Sequence, residues 1–196
     1  MLEGSRKMND KVKHFRRVLE ELDAVLEMIP FADVPGKIVE IANEQKISTL
    51  AVGMDEILKS DSLLDSLKVA GVKVVPPPDA TAGITAGRAW REEVAAADAG
   101  LTGCFGAAAE TGSALLPPFR PDVRAVSLLP PLHILLVEQS KLHSDVGTLT
   151  ASWAEESGEG NAVFVSGPSR TADIEKELVL GVHGPSRVIV VLVTDR

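Results

Sequence analysis

Apolar residues recur at intervals of three and four near the start of the chain: Phe15, Val18, Leu19, Leu22, Val25, Leu26 and Ile29. That spacing predicts a single amphipathic helix over 10–29, stopped by Pro30. Its apolar face packs on its own domain or against a second copy of the chain. A second helix is predicted from about Pro35 to Glu44. Thr49–Val52 is a short apolar run closed by Gly53, the pattern of a buried strand. Leu63–Val69 reads as a short helix stopped by Gly71, and Lys73–Val75 as a strand ended by Pro76-Pro77-Pro78. Residues 79–87 read as loop and 88–98 as a helix with Trp90 and Val94 on one side.

Short strands are predicted around 101–105 and 112–116, and Pro117-Pro118 with Pro121 marks a connection. His133–Val137 is apolar after its histidine, residues 145–156 can form a helix, and Ala162–Val165 is a strand-like run. Val188–Val193 has no polar alternation, so both of its faces should be buried, as in a parallel sheet covered by helices. Strands and helices alternate at the spacing of an α/β protein with a parallel-rich sheet flanked by helices. The expected division is a helical N-terminal extension over 1–30 and one α/β domain over 31–196.

Composition narrows the function classes. A length of 196 residues, with 45% apolar and 24% charged residues, suits a single globular domain. The net charge of −8 argues against nucleic acid as the main partner. The one basic cluster, Arg6 to Arg17, has the ordinary reading of a solvated helix face. Cys104 is the only cysteine, so no intrachain disulfide forms and no iron–sulfur cluster is held by this chain's own thiolates. The N-terminal stretch does not read as an export signal, and no apolar run approaches the length of a membrane span. A cytoplasmic location is expected.

Two segments carry candidate chemistry. Ser166-Gly167-Pro168-Ser169-Arg170-Thr171-Ala172-Asp173-Ile174-Glu175 lies between an apolar run and a stretch that reads as a helix ending at Gly181. If the run before it is a parallel strand, the loop sits at the sheet's carboxyl edge, where α/β proteins gather ligands. Thr171 would cap the helix, and Asp173 and Glu175 would lie in its first turn, where they would repel a phosphate. The bland alternative is a well-capped turn with no ligand. A helix of about nine residues spans roughly 14 Å, which would place the Gly181-Val182-His183-Gly184-Pro185 turn at the opposite edge. Glu110-Thr111-Gly112-Ser113 is the second segment; a carboxylate among apolar neighbours has a raised pKa and can serve as acid, base or nucleophile. The bland alternative is a polar turn with Glu110 in water. His133 is either a hydrogen-bonded structural histidine or part of a site. No pair of histidines has zinc-motif spacing, and the glycines at 100, 103 and 106 are not a dinucleotide fingerprint.

Together with Ser127-Leu128-Leu129-Pro130-Pro131-Leu132-His133 and the Gly181–Pro185 turn, these segments resemble the lactate-utilisation protein C family, whose domain is called the LUD domain. The four motifs occur in family order over about residues 100–186. The resemblance implies the fold of the sugar-phosphate isomerase and CoA-transferase superfamily. It also implies a part in oxidising L-lactate to pyruvate beside partner proteins that carry iron–sulfur clusters. CoA transferases of that superfamily use a glutamate nucleophile, and Glu110 is the residue that could play it here. The expected site therefore has Glu110 and Asp173 as catalytic carboxylates. Thr111, Gly112, Ser113, His133, Ser166, Gly167, Pro168, Ser169 and Thr171 would bind substrate, with no metal or cofactor held by this chain. The leading expectation is a non-redox component that binds a small carboxylate, acyl or phosphate-containing ligand. Its rivals are an independent transferase or hydrolase using Glu110, and a structural assembly factor. A homo-oligomer is compatible with all three.

Overall fold

The first apolar stripe breaks in two. In the computed structural model, which describes residues 10–53, 56–58, 61–78, 84–117, 121–157, 163–172, 178–180 and 184–196, helix α1 covers only Asp10–Glu21. Asp23 adopts a left-handed conformation, φ +57°, which aspartate tolerates better than most residues. The amide of Ala24 reaches back to the Leu19 carbonyl at 2.9 Å and that of Asp23 to Glu20 at 3.1 Å, so the last turn is closed by a left-handed cap. The chain then extends as strand β1, Val25–Ile29, paired in parallel with residues 189–193. The predicted helix over 10–29 is therefore a helix and a strand, because a spacing of three and four across a short stretch does not separate the two once a turn intervenes.

Helix α2 (Val34–Glu44), strand β2 (Thr49–Val52), helix α3 (Asp61–Val69) and strand β3 (Lys73–Val75) follow at the predicted positions. Helix α4 runs from Ile84 to Ala95, so part of the predicted loop is helical. Strand β4 is Ala99–Thr102, followed by the short strands β5 (Gly106–Ala108) and β6 (Ser113–Leu116). Pro121, expected with Pro117-Pro118 to mark a connection, instead opens helix α5 (Pro121–Leu128); proline at the first helical position lacks only an N–H that would be unpaired anyway. Strand β7 (Leu132–Glu138), the short β8 (Leu142–His143) and helix α6 (Val146–Ser157) come next. Strand β9 (Val163–Ser166), the pair β10 (Arg170–Ala172) and β11 (Leu178–Leu180), and β12 (Arg187–Val193) complete the described elements.

Six strands form one wholly parallel sheet in the order β1-β12-β7-β4-β2-β3. Its central strands β7 and β12 are buried on both faces, as the unbroken apolar run at 188–193 predicts. One face packs against α2 and α3 through Ile38, Ile41, Leu63 and Leu67. The other face meets α1 through Phe15 and Leu19 and also carries a second sheet, ordered β8-β5-β6-β9. Helix α6 covers that second sheet on its far side, where Leu149 and Trp153 meet Ala108 and Leu115. Helices α4 and α5 cover the region of β2 and β3. At Gly100 of β4 a Cβ would stand 2.0 Å from the Val126 carbonyl oxygen of α5, so only glycine admits the helix that closely.

Candidate functional site

Strand β9 does not belong to the parallel sheet. It pairs antiparallel with β6 at the edge of the second sheet, placing Ser113 opposite Ser166. A continuous Val-Phe-Val run suggests burial on both faces, yet Phe164 is 38% exposed and the strand's burial alternates. The segment after it is not a helix either. Arg170–Ala172 pairs with Leu178–Leu180 as an antiparallel hairpin, so Thr171 sits in a strand rather than at a helix cap. The hairpin also cancels the expected 14 Å separation of the two glycine turns. It folds the chain back so that the amide of Ser169 donates to the Pro185 carbonyl at 2.8 Å. Asp173 and His183 lie outside the described residues.

The two candidate segments do come together. Thr111 Oγ1 donates to Ser113 Oγ at 2.8 Å, and Ser113 Oγ is hydrogen-bonded to Ser166 Oγ. Thr111 is half-buried, Ser113 buried and Ser166 exposed, so the buried hydroxyl of Ser113 links two that lie nearer the surface. Gly112 and Gly167 both take left-handed conformations, φ +64° and +62°. A Cβ on either would come within 3.0 Å of the Leu22 side chain at the end of α1. Left-handed backbone and close approach both call for glycine here. The N-terminal helix thus forms part of the wall beneath both loops.

A surface groove of about 520 Å³ runs along β9 and the turn that follows it. Val163 to Ser169 form one side, and Leu22, Gly184 and Pro185 also line it. Arg124, Ser127 and Leu128 form the other side. These three fall at i, i+3 and i+4 of α5 and so share one helix face, while Val123 and Val126 are buried. Leu22, Leu128 and Pro185 stand just before the strands β1, β7 and β12. The groove therefore lies at the amino edge of the parallel sheet, not at the carboxyl edge where the sequence reading placed the loop. Among the described residues no acid lines it, and Arg124 has no ion pair there.

Other predicted residues stand apart. Glu110 is exposed and does not line the groove; its amide is held by the Ser144 carbonyl at 3.0 Å. The apolar surroundings expected for its carboxylate are absent. His133 is wholly buried within β7, with Nε2 and Thr102 Oγ1 2.8 Å apart. Its Nδ1 has no partner among the described residues. An unmet lone pair costs less than an unmet N–H, which favours the tautomer with the proton on Nε2. Burial pushes its pKa from 6.5 down to about 4. His133 therefore serves as a neutral structural residue of the core. Arg124, Leu128, Phe164 and Leu22 also line the groove, and neither candidate segment includes them. The signal available for the first two was Pro121, a helix-start proline followed by acidic Asp122.

The family model described as the LUD domain matches residues 12–193. The chain belongs to the LUD domain family. Among curated relatives, this LUD domain is 36% identical over 117 residues to lactate utilization protein C of Halalkalibacterium halodurans, covering 57% of this chain and 51% of that protein. It is 41% identical over 104 residues to lactate utilization protein C of Deinococcus radiodurans, covering 52% of this chain and 49% of that one. The chain thus spans about half the length of these relatives. A crystal structure of a DUF162 family protein from Deinococcus radiodurans matches with a TM-score of 0.68 at 25% identity, covering 94% of this chain and 96% of that one. Among the described residues no helix is long and apolar enough to cross a membrane, and no cluster of three or more His, Cys, Asp or Glu could hold a metal ion.

Proposed function

We propose that this LUD domain acts in lactate utilization as a non-redox component that binds a small carboxylate, acyl or phosphate-containing ligand. The groove between β9 and α5 carries this reading: one guanidinium, the hydroxyls of Ser166 and Ser169 and an apolar wall converge there with no described acid opposing an anion. The names of the relatives support the process, lactate utilization. The single cysteine of these 196 residues supports the division of labour, since thiolate-ligated clusters need several cysteines. Electrons from L-lactate would pass through iron–sulfur partner proteins, with this chain binding a reactant, product or effector beside them in the cytoplasm.

Deletion of the gene in a strain with no second lactate-oxidising system tests the role. Growth on L-lactate should fail and growth on pyruvate should continue. Normal growth on L-lactate would remove the proposal. Affinity purification of the tagged chain from lactate-grown cells should also bring down proteins with iron–sulfur absorbance.

A further inference from the structure

We infer that the groove selects a single carboxylate attached to an apolar body larger than lactate, with Arg124 as the anchoring residue. This rests on the reading above that the groove takes a small ligand, and it chooses among the classes named there.

Charge sets the head group. Among the described lining residues Arg124 is the only cation, and its planar fork matches a carboxylate's two oxygens. A phosphate dianion would want more positive charge, or the N–H end of a helix. Instead α5 meets the groove through Arg124 and its last two residues, Ser127 and Leu128, so its carbonyl end is nearer the groove than its N–H end. That end carries partial negative charge and disfavours a second anionic charge. Ser127 Oγ already donates to the Arg124 carbonyl at 3.1 Å, keeping its lone pairs rather than its proton toward a ligand. Ser166 Oγ is tied to Ser113. The hydroxyls thus supply orientation more than charge.

Size and polarity set the rest. The groove's volume of about 520 Å³ falls within the range of about 300–1,000 Å³ typical of sites for organic ligands, and far exceeds a three-carbon acid. Leu128 is 53% exposed and Phe164 38% exposed, and both line it. They are two of five large apolar side chains left exposed among the described residues. Covering them would stabilise a complex in proportion to the apolar area removed from water. A carboxylate on Arg124 with a hydrocarbon or ring lying toward Phe164 uses both features; lactate or pyruvate uses only the first.

The test is a titration of the purified chain with hexanoate, hexanamide and inorganic phosphate, followed by calorimetry or amide chemical shifts. Hexanoate should bind saturably. Changing it to hexanamide, or changing Arg124→Gln, should each weaken binding about tenfold or more. Hexanamide should bind wild type and Arg124→Gln alike. Arg124→Lys, which keeps the charge without the fork, should fall between them. Phe164→Ala should weaken hexanoate about fivefold. Arg124 is exposed, so its variants test binding in a folded chain. Equal binding of hexanoate and hexanamide, unchanged affinity in Arg124→Gln, tighter binding of phosphate than hexanoate, or no saturable binding would each overturn the assignment. Growth tells this failure from failure of the role. A deletion strain unable to use L-lactate, paired with a chain that ignores hexanoate, removes the carboxylate and keeps the role. The converse pair removes the role and keeps the site.

Discussion

Replacing His133 by glutamine separates two properties that burial joins at this position, a hydrogen bond and a titrating proton. Glutamine is long enough to set its amide where Nε2 now meets Thr102 Oγ1, but it does not titrate. In the folded chain the imidazole's pKa is held down to about 4, against 6.5 in an open chain, because burial disfavours the charged ring. As pH falls below about 6.5 the unfolded chain takes up this proton before the folded chain does. Stability from His133 is thus fully present above about pH 6.5, declines as the solution is acidified, and is lost by about pH 4 and below. A gap from 6.5 to about 4, at about 1.4 kcal/mol for each pH unit, comes to about 3 kcal/mol. Urea unfolding at pH 7 and pH 4 measures the effect. Both proteins lose stability as carboxylates protonate, but wild type should lose about 3 kcal/mol more than His133→Gln. Parallel acid limbs in the two proteins would refute the reasoning and show that His133 is charged, or satisfied, in the folded state.

Other outcomes rest on packing and on buried hydrogen bonds. Gly100→Ala should destabilise by about 3 kcal/mol or more in urea unfolding, because its methyl would overlap a backbone carbonyl of α5 and not a flexible side chain. Gly112→Ala and Gly167→Ala should each cost about 1–3 kcal/mol, from left-handed backbone and contact with Leu22. Leu22→Ala removes the Cδ1 that a Cβ at Gly112 would meet but keeps the Cβ that one at Gly167 would meet, so in double variants it should recover part of the Gly112→Ala loss and little of the Gly167→Ala loss. Ser113→Ala removes the middle of the Thr111–Ser113–Ser166 hydroxyl chain and should cost about 1–2 kcal/mol, read from the shift in melting temperature.

The parallel sheet was legible because its strands are short apolar runs bounded by glycine and proline. Thr49–Val52 and Lys73–Val75 fall where the pattern put them, and Val188–Val193 is buried on both faces as its composition requires. Position 23 was harder. Nothing in a three-and-four spacing announces that an aspartate will turn left-handed and convert the rest of the stripe to a strand. The second sheet was harder still. Its strands are two to four residues long, and an apolar run such as Val163–Val165 reads alike whether it lies mid-sheet or at an edge. That ambiguity moved the site. Once β9 is an edge strand and a hairpin follows it, the Ser166–Ser169 turn goes to the amino edge of the main sheet and meets Pro185 instead of standing away from it. The pairing of Glu110–Ser113 with this turn survives through Ser113 and Ser166, while Glu110 itself points to solvent.

The central claim is that ligand binds between β9 and α5, at the amino edge. Amide chemical shifts recorded during a hexanoate titration test it most directly. The account predicts saturable shifts at Phe164, Ser166, Gly167 and Ser169, at Arg124 to Leu128, and at Gly184, with little change at the carboxyl ends of β2 and β4. Shifts concentrated instead at Gly53, Gly103 and Cys104 would place the site at the opposite edge of the sheet and contradict it.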